Sequence, residues 1–302
     1  MEENTKDSLH SDEERFRALV EHVSDWIWEV DENGIYTYAS PRIKDILGYE
    51  PSEVLGKTPF DLMEPEEGKR IAPIFEYHVA NKLPIKSLEN INLHRDGHEV
   101  ILETSGSPII NAEGKCIGYR GVDRDITERK EMERVIYYQA HYDLLTNLPN
   151  RRYLHKKISK MIDPPSKANR FALLFIDLDN FKEINDTLGH EMGDQLLTML
   201  ANQLKKCVRE TDFVSRYGGD EFVLILENMQ AEADIKEMAG RILAAFQEPY
   251  CFEGTYLKIT GSIGISIFPD DGIDFDTLIK KADHAMYRIK RSGKNNFSRA
   301  EN

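Results

Sequence analysis

RYGGDEFVLIL, residues 216–226, sets two glycines and two acids directly before an apolar run that predicts a buried strand. Gly218 and Gly219 permit a tight turn and leave room for another group to approach the backbone. The adjacent carboxylates of Asp220 and Glu221 repel each other, so their proximity favours a cation or a proton between them. A phosphate-bearing substrate with a divalent metal would satisfy both features. On these residues alone, a plain acidic hairpin turn is an equally good interpretation.

Length and composition are those of a globular protein. The 302 residues suggest two ordinary domains or one large one, and 40% apolar with 30% charged residues provide both buried cores and a polar surface. The net charge of -14 argues against nucleic acid as the main partner, since backbone binding relies on many Lys and Arg contacts. Any phosphate site must therefore be a local basic cluster.

The apolar segments of the chain indicate whether it is exported or spans a membrane. Residues 1–16 lack the apolar core of a signal peptide. The longest apolar runs, at 171–176 and 222–226, are far shorter than the roughly 20 residues that a membrane helix needs. The cysteines show no metal-like spacing, which fits a reducing compartment. We therefore expect a cytoplasmic protein without a membrane span.

The chain reads as two halves separated by a charged helical segment, and we predict the α+β class. The expected order is a disordered or helical tail, a first domain, a helical linker and a second domain, over residues 1–11, 12–124, 125–142 and 143–302. In the first domain, residues 26–40 and 88–110 each alternate apolar and polar side chains around a turn. A third strand pair surrounds residues 111–115, so at least five antiparallel strands are expected, with short helices between Ser40 and Ala80 on one side.

Four segments of the first domain, taken in order, resemble a PAS domain. They are WIWEVDENGIYTYAS, ILGYEPSEVLGK, HRDGHEVILETSGSPI and the exit GYRGVDRDITERK. The resemblance covers about residues 12–130 and implies a sensory or dimerising module with a five-stranded sheet. The PAS ligand stays unknown, because this family binds many ligands and often none. A lone histidine is more often structural than a haem ligand. The histidines in question are His22, His78, His94 and His98.

The linker carries apolar residues at steps of three and four with charges between them. Ile126, Met132, Val135 and Ile136 begin this stripe, which continues at 139–142. Such spacing is typical of an amphipathic helix, and we interpret it as a short coiled-coil connector that could pair two chains. A single helix packed on its own domain is the alternative, because the stripe is short.

The second domain alternates strands and helices, which predicts an α/β sandwich on a sheet with antiparallel strands. Its strand FALLFIDLD ends in Asp177 and Asp179, and acids at the end of a buried strand commonly bind metal. If this strand neighbours the one after the glycine turn, Asp177 joins Asp220 and Glu221 in a cluster that suits Mg²⁺. Alone, Asp177 is explained equally well as a strand-end or capping acid.

Four ordered motifs of the second domain resemble those of a GGDEF-type diguanylate cyclase. They are YDLLTNLPNRRYL, FIDLDNFKEINDTLGHEMGDQLL, RYGGDEF and KKADHAMYRIKRSGKN. Their joint occurrence is far more specific than any one of them, and it removes the plain acidic turn as an interpretation. The resemblance implies a palm-like domain with a mixed central sheet flanked by helices. It also implies condensation of two GTP molecules to cyclic di-GMP with release of two pyrophosphates.

The resemblance assigns roles to the matching acidic residues. Mg²⁺ or Mn²⁺ would be held by Asp177, Asp220, the main-chain carbonyl of Leu178 and Glu221. Asp220 would also be the base for the ribose 3′-hydroxyl, which fits a carboxylate beside a metal. Lys182 completes the expected catalytic set by neutralising charge on the phosphates. Lys182, Lys290 and Lys294 would together form the local basic cluster.

Guanine recognition would use Asn185 and Asp194, with His190 nearby. A carboxylate facing the guanine N1 and amino donors, with an amide facing O6, discriminates against adenine, whose edge inverts the donor pattern. Singly, these residues are explained as well by helix capping and a solvated helix face. Gly218 and Gly219 would let the backbone lie against the nucleotide, with its phosphates near Lys290 and Lys294.

Each half-site implied by the resemblance binds one GTP, so two chains must face each other for in-line attack, and a homodimer is expected. Arg209 and Asp212 form an R-x-x-D that resembles the family's inhibitory site for its product, cyclic di-GMP. An ordinary surface ion pair is the alternative.

Two other functions compete with the enzyme: a silent GTP or cyclic di-GMP receptor, and a dimerisation scaffold. The intact acids Asp177, Asp220 and Glu221 favour the enzyme.

Overall fold

A computed structural model describes residues 23–162, 170–227, 229, 231–252 and 255–301. The chain forms two compact units that divide between Arg134 and Val135. The predicted tail over 1–11 and His22 lie outside the described residues. The division between the units falls inside the predicted linker, which is therefore shared between them.

The first unit is built on an antiparallel five-stranded sheet in the order β2-β1-β5-β4-β3. Its strands are β1 (Trp26–Asp31), β2 (Tyr36–Ala39), β3 (Ile85–Leu93), β4 (Glu99–Ile110) and β5 (Cys116–Asp125). Between β2 and β3 lie α1 (Arg42–Leu47), α2 (Pro51–Val54), a 3₁₀ turn (Pro59–Leu62) and α3 (Pro65–Ala80). The predicted five-stranded antiparallel sheet with helices is confirmed.

Alternation along the strands decides which side chains form the core of this unit. Trp26, Trp28 and Val30 alternate with more exposed residues along β1, as the period of two requires. The Tyr119 hydroxyl lies 2.8 Å from the His78 carbonyl and 3.1 Å from the Leu83 carbonyl. These contacts bind β5 to the end of α3, so the helices cover one face of the sheet.

The second unit has a five-stranded sheet in the order β12-β11-β6-β8-β7, with β11 and β12 parallel and the other pairs antiparallel. Its strands are β6 (Phe171–Leu178), β7 (Phe213–Gly218), β8 (Glu221–Glu227), β11 (Gly261–Phe268) and β12 (Asn296–Arg299), with a separate pair β9 (Tyr250–Phe252) and β10 (Thr255–Leu257). The helices are α5 (Arg151–Ile162), α6 (Phe181–Leu188), α7 (His190–Cys207), α8 (Glu232–Phe246) and α9 (Phe275–Arg291). The mixed sheet flanked by helices is confirmed.

The central strands of this sheet are covered on both faces. Every residue of β6 and β11 is buried, which is why FALLFIDL reads as a continuous apolar run rather than an alternating one. One hydrophobic core takes the side chains of one face together with α7 and α8, and a second takes the other face with α5 and α9. This packing leaves the ends of β6 and β8 as the place where polar groups collect.

The linker helix α4 (Thr127–His141) begins two residues later than the sequence predicted, because Asp125 is the last residue of β5. None of its residues is buried, and the side chains of Met132, Val135 and Ile136 are 52%, 54% and 64% exposed. The middle of the apolar stripe is therefore exposed, whereas Ile126 before it is buried and the His141 ring near its end contacts the Tyr153 ring at 5.6 Å. Among the described residues, no helix combines the length and the apolar composition that a membrane span requires.

A small cavity of about 40 Å³ lies in the first unit, and a buried acid faces it. Asp123 lines the cavity together with Trp28, Asn90 and Thr104. One oxygen of the Asp123 carboxyl and the Trp28 indole nitrogen have no hydrogen-bond partner within the described residues. Burial raises the pKa of Asp123 to about 7, and the Thr104 hydroxyl opposes this effect only in part. The folded unit therefore favours a neutral carboxyl at this position.

The raised pKa of Asp123 predicts how the stability of the first unit depends on pH. In the unfolded chain this carboxyl titrates near 3.8, below its folded pKa of about 7. Its contribution to the free energy of unfolding is therefore complete in acid and is lost as the pH rises through the folded pKa, by on the order of a few kcal/mol. Asp123→Asn cannot ionise, so its stability relative to the wild type should increase between about pH 5 and about pH 8.

Denaturant titrations followed by tryptophan fluorescence measure this difference. Trp26 and Trp28 are the two tryptophans of the chain, and both lie in the first unit. Titrations that other groups contribute are shared by the two proteins and cancel in the comparison. A stability difference that stays constant over this pH range would contradict the prediction.

Candidate functional site

The pairing of β6 with β8 brings together the acids that the sequence singled out. Asp177 lies directly opposite Glu221 in the antiparallel register. The Leu178 amide donates to the Asp220 carbonyl at 3.4 Å, at the same end of the two strands. The expected neighbouring strands are therefore present, and the metal-ligand candidates Asp177, Leu178, Asp220 and Glu221 meet at one end of the sheet.

Electrostatics at this end of the sheet favour a cation. Burial raises the pKa of Asp177 to about 6; Asp220 adds to this effect and the Lys290 ammonium opposes it. Burial likewise raises the pKa of Glu221, and repulsion from Asp177 and Asp220 raises it further. A divalent cation would relieve this repulsion, and carboxylate and carbonyl oxygens are the ligands that Mg²⁺ or Mn²⁺ prefers. The chemistry of the donor set therefore fits such an ion.

Lys290 neutralises part of this cluster directly. Its ammonium forms an ion pair with Asp177, whereas the sequence placed it on phosphate. Lys294 contacts the Asn180 side chain, and Lys182 is exposed. The donor atoms of the three carboxylates do not all lie within 4.8 Å of one another. A cation that binds all three must therefore draw them closer and compete with Lys290 for Asp177.

Asp179 differs sharply from Asp177, although the two are equivalent in the sequence pattern. Its buried carboxylate accepts hydrogen bonds from the Thr260 and Ser262 hydroxyls, both at 2.7 Å, and from the Asn295 amide at 3.1 Å. These bonds satisfy the carboxylate and fix the residues around Lys294 to the end of the sheet. Asp179 therefore has a structural role, and Asp177 is the acid that faces the cluster.

The glycine turn is held by a residue that the sequence analysis did not single out. Gly219 has a φ of +44°, which favours glycine, and both Gly218 and Gly219 are exposed. The Arg216 guanidinium donates to the Gly219 carbonyl at 3.0 and 2.7 Å, and to Asp143 at 2.8 Å. Although burial alone would raise it, hydrogen bonds from Thr146 and Arg216 hold the pKa of Asp143 below its usual value. The turn is thereby fastened to the segment just after α4.

An open cleft of about 810 Å³ adjoins the glycine turn on the side of α5. Arg151, Arg152, His155 and Arg216 line it, and Asp143 and Asp276 lie among them. The Arg151 guanidinium stacks over the Tyr217 ring at 4.7 Å. The cleft thus places positive charge beside the exposed glycines. The net negative charge of the whole chain does not suggest this local basic cluster.

The guanine candidates lie on α6 and α7, which pack together. A Cβ on Gly193 would come within 1.9 Å of the Asn185 side-chain oxygen, so only glycine allows Asn185 to occupy this position. That oxygen is buried and has no hydrogen-bond partner among the described residues. Asp194 and His190 are exposed on the adjoining helix. The fold therefore brings Asn185 against Gly193, the residue before Asp194, and this glycine is a requirement that the sequence analysis missed.

The R-x-x-D residues form a turn rather than an ordinary ion pair. The Arg209 amide donates to one Asp212 oxygen at 2.9 Å, and the Glu227 amide lies 3.3 Å from the other. Both side chains line a cavity of about 80 Å³, and Arg241 of α8 lines it too. Arg241 also donates to the Cys207 carbonyl at 2.6 Å. This second arginine is distant in sequence and carries no local signal, so the sequence analysis missed it.

Comparison with known families matches two successive parts of the chain. Residues 140–296 match the family described as diguanylate cyclase, GGDEF domain, and residues 20–131 match the PAS fold. A Vibrio cholerae protein named diguanylate cyclase is 27% identical over 296 residues, which are 97% of this chain and 89% of that protein. The chain spans 22% to 35% of the length of the first curated relatives that it matches.

Two solved structures resemble the second unit. The GGDEF domain of PA1120 (TpbB or YfiN) from Pseudomonas aeruginosa has a TM-score of 0.52 and 38% identity, covering 53% of this chain and 95% of that one. The coiled coil and GGDEF domain of DgcB from Caulobacter crescentus, in complex with c-di-GMP, has a TM-score of 0.53 and 26% identity, covering 58% and 93%. Both agree with the mixed sheet described above.

The contacts of Arg216 predict that it orders the glycine turn. Arg216→Lys keeps the charge but loses the forked guanidinium contacts with Gly219 and Asp143. Amide hydrogen exchange in peptides that cover β7 and β8 should become about tenfold faster, as expected for the loss of charge-assisted hydrogen bonds. Arg291→Lys alters an exposed arginine of the same unit and is the matched control. Equal exchange in the two variants would show that Arg216 does not hold the turn.

Proposed function

We propose that this chain, which belongs to the GGDEF diguanylate cyclase family and carries a PAS fold before that domain, condenses two GTP molecules into cyclic di-GMP and two pyrophosphates. The observation that carries this proposal is the meeting of Asp177, Asp220 and Glu221 beside Lys290, at the end of β6 and β8. A silent receptor has no need of a full set of acids at that position. The Vibrio cholerae relative, named diguanylate cyclase, supports the same activity.

Mg²⁺ or Mn²⁺ would be held by Asp177, Asp220, Glu221 and the Leu178 carbonyl. When bound, such a metal neutralises charge on the phosphates that develops during phosphoryl transfer. The protein holds these carboxylates together although they repel one another. The raised pKa values of Asp177 and Glu221 result from this repulsion and from burial. Lys182, Lys290 and Lys294 supply further positive charge for the triphosphate. Contact with substrate phosphates would release Lys290 from Asp177.

Asp220 acts as the base in this proposal. Its carboxylate accepts the proton of the ribose 3′-hydroxyl of one GTP while that oxygen attacks the α-phosphorus of the other. The bond from the α-phosphorus to the bridging oxygen breaks, and pyrophosphate leaves with the electron pair. The same step on the second 3′-hydroxyl closes the ring. Asn185 and Asp194 select guanine, and the exposed Gly218 and Gly219 allow the nucleotide to approach the turn.

The reaction requires two copies of the chain, because each glycine turn serves one GTP. The exposed stripe of α4 offers a surface for pairing: Met132, Val135 and Ile136 are all more than half exposed. Apolar side chains at this spacing are stabilised when a second helix covers them. The PAS fold precedes this helix, so it is suitably placed in the chain to control how two half-sites meet.

Incubation of the full chain with GTP and Mg²⁺ tests the proposed reaction. Cyclic di-GMP should appear by mass-resolved chromatography, and the rate per chain should rise with protein concentration if a dimer forms. Asp220→Asn should lower the rate by roughly 10²–10⁴-fold, as expected for loss of a general base. Asp186→Asn removes an exposed acid of α6 and should leave the rate unchanged. GTP binding without turnover in the wild type would favour the receptor instead.

Product inhibition tests the R-x-x-D site. We propose that cyclic di-GMP binds there through Arg209, Asp212 and Arg241, because arginines can stack on guanine and grip phosphate. Arg209→Ala should raise activity at high product concentration without altering the initial rate. Arg241→Lys should act in the same direction, and Lys206→Ala, an exposed neighbour, should have no effect. Unchanged product inhibition in both arginine variants would rule this role out.

A further inference from the structure

We propose that the hairpin between β3 and β4 binds a divalent transition-metal ion such as Zn²⁺ through His94, Asp96 and His98. This site lies in the first unit and is separate from the acids of the proposed cyclase. One nitrogen or oxygen from each of these three residues lies within 4.8 Å of the others. No other set of three or more His, Cys, Asp or Glu donors is so close together in the described parts of the chain.

The backbone of the hairpin places the two histidines side by side. The His94 amide donates to the His98 carbonyl at 2.8 Å, and the Gly97 amide donates to the His94 carbonyl at the same distance. Gly97 has a φ of +95°, which closes the turn. As a result the two imidazole rings are stacked, with their centres 4.3 Å apart and their planes 21° apart.

A single carboxylate oxygen lies close to one nitrogen of each ring. The Asp96 amide also donates to His94 Nδ1 at 3.2 Å, and an ion at that nitrogen would replace this contact. Asp96 Oδ1 is 2.9 Å from His94 Nδ1 and 2.6 Å from His98 Nδ1. Two imidazole nitrogens with one carboxylate oxygen are ligands that suit Zn²⁺, Cu²⁺ and Ni²⁺ better than Mg²⁺. Tetrahedral Zn²⁺ holds its ligands about 3.3 Å apart, so Asp96 Oδ1 needs to move only slightly away from each ring nitrogen. Water would complete the coordination.

The two histidines contribute differently to this site. A Cβ on Gly48 would lie 2.6 Å from His94 Nε2, so the ring packs closely against the end of α1 and is held there. The Arg95 amide also donates to the Leu47 carbonyl at 2.9 Å, which fastens the turn to the same helix end. The side chain of His94 is 21% exposed and that of His98 is 59% exposed. His98 is therefore free to rotate its ring out of the stack and direct Nδ1 to an ion.

Zinc bound to the full-length protein at equilibrium is the quantity to measure. Excess Mg²⁺ in the dialysis buffer competes with zinc for carboxylates elsewhere in the chain, and bound zinc is determined by elemental analysis. The wild type should bind one zinc ion more than His98→Gln, and Asp96→Asn should weaken that binding at least ~10-fold. His284→Gln removes an exposed histidine of the second unit and is the matched control. Cyclase activity is not part of the readout, so failure of either proposal leaves the other intact.

A stability measurement gives a second, independent readout. Zinc that binds only the folded hairpin must raise the denaturant midpoint of the first unit, followed by the fluorescence of Trp26 and Trp28. The shift should occur in the wild type and in His284→Gln, and be absent in His98→Gln. Equal zinc content in the wild type and His98→Gln would overturn the proposal, as would a loss of zinc in His284→Gln of the same size. Zinc binding without any shift in the midpoint would overturn it too.

Discussion

The antiparallel pairing of β6 with β8 is the constraint on which the proposed function depends. Its register puts Asp177 opposite Glu221, and the turn before β8 delivers Asp220 to the same end. A shift of one residue would turn Asp177 to the other face of the sheet. The same shift would move every buried apolar side chain of β6 out of its place in the core. The apolar core thus secures the acids: the hydrophobic side chains that bury both faces of β6 fix the register, and the register positions the carboxylates.

Holding these acids together opposes folding, and the surrounding residues offset that effect. Lys290 pairs with Asp177, while Arg216 fastens the Gly219 carbonyl to Asp143. The electrostatic repulsion that remains, visible in the raised pKa values of Asp177 and Glu221, is what makes the site attractive to a cation and to the phosphates it accompanies. Because Asp143 follows closely after α4, the contacts of Arg216 also join the glycine turn to the chain segment that leads from the linker helix.

Local sequence patterns anticipated much of both units. Alternation around turns predicted the antiparallel sheet of the first unit, and the unbroken apolar run of FALLFIDL predicted a buried strand, which the structure shows to be covered on both faces. Other elements were missed because they are short or polar. The edge strand β12 has four residues and no buried position, and α5 is rich in Arg and Lys. Their places are set by contact with β11 and with the second core rather than by a pattern within their own residues.

By itself, the sequence determined the main strands and helices and the glycine turn, because these depend on local periodicity and on the backbone freedom of single residues. The two domain types and the roles of the candidate acids came from the resemblance of ordered motifs to known families. Tertiary structure alone decided which acids lie together. Asp177 and Asp179 are alike in sequence, yet only Asp179 is satisfied by the Thr260 and Ser262 hydroxyls. Likewise Arg241 joins Arg209, and Gly193 makes room for Asn185. Such pairings follow from helix and strand packing, which brings residues distant in sequence to the same place.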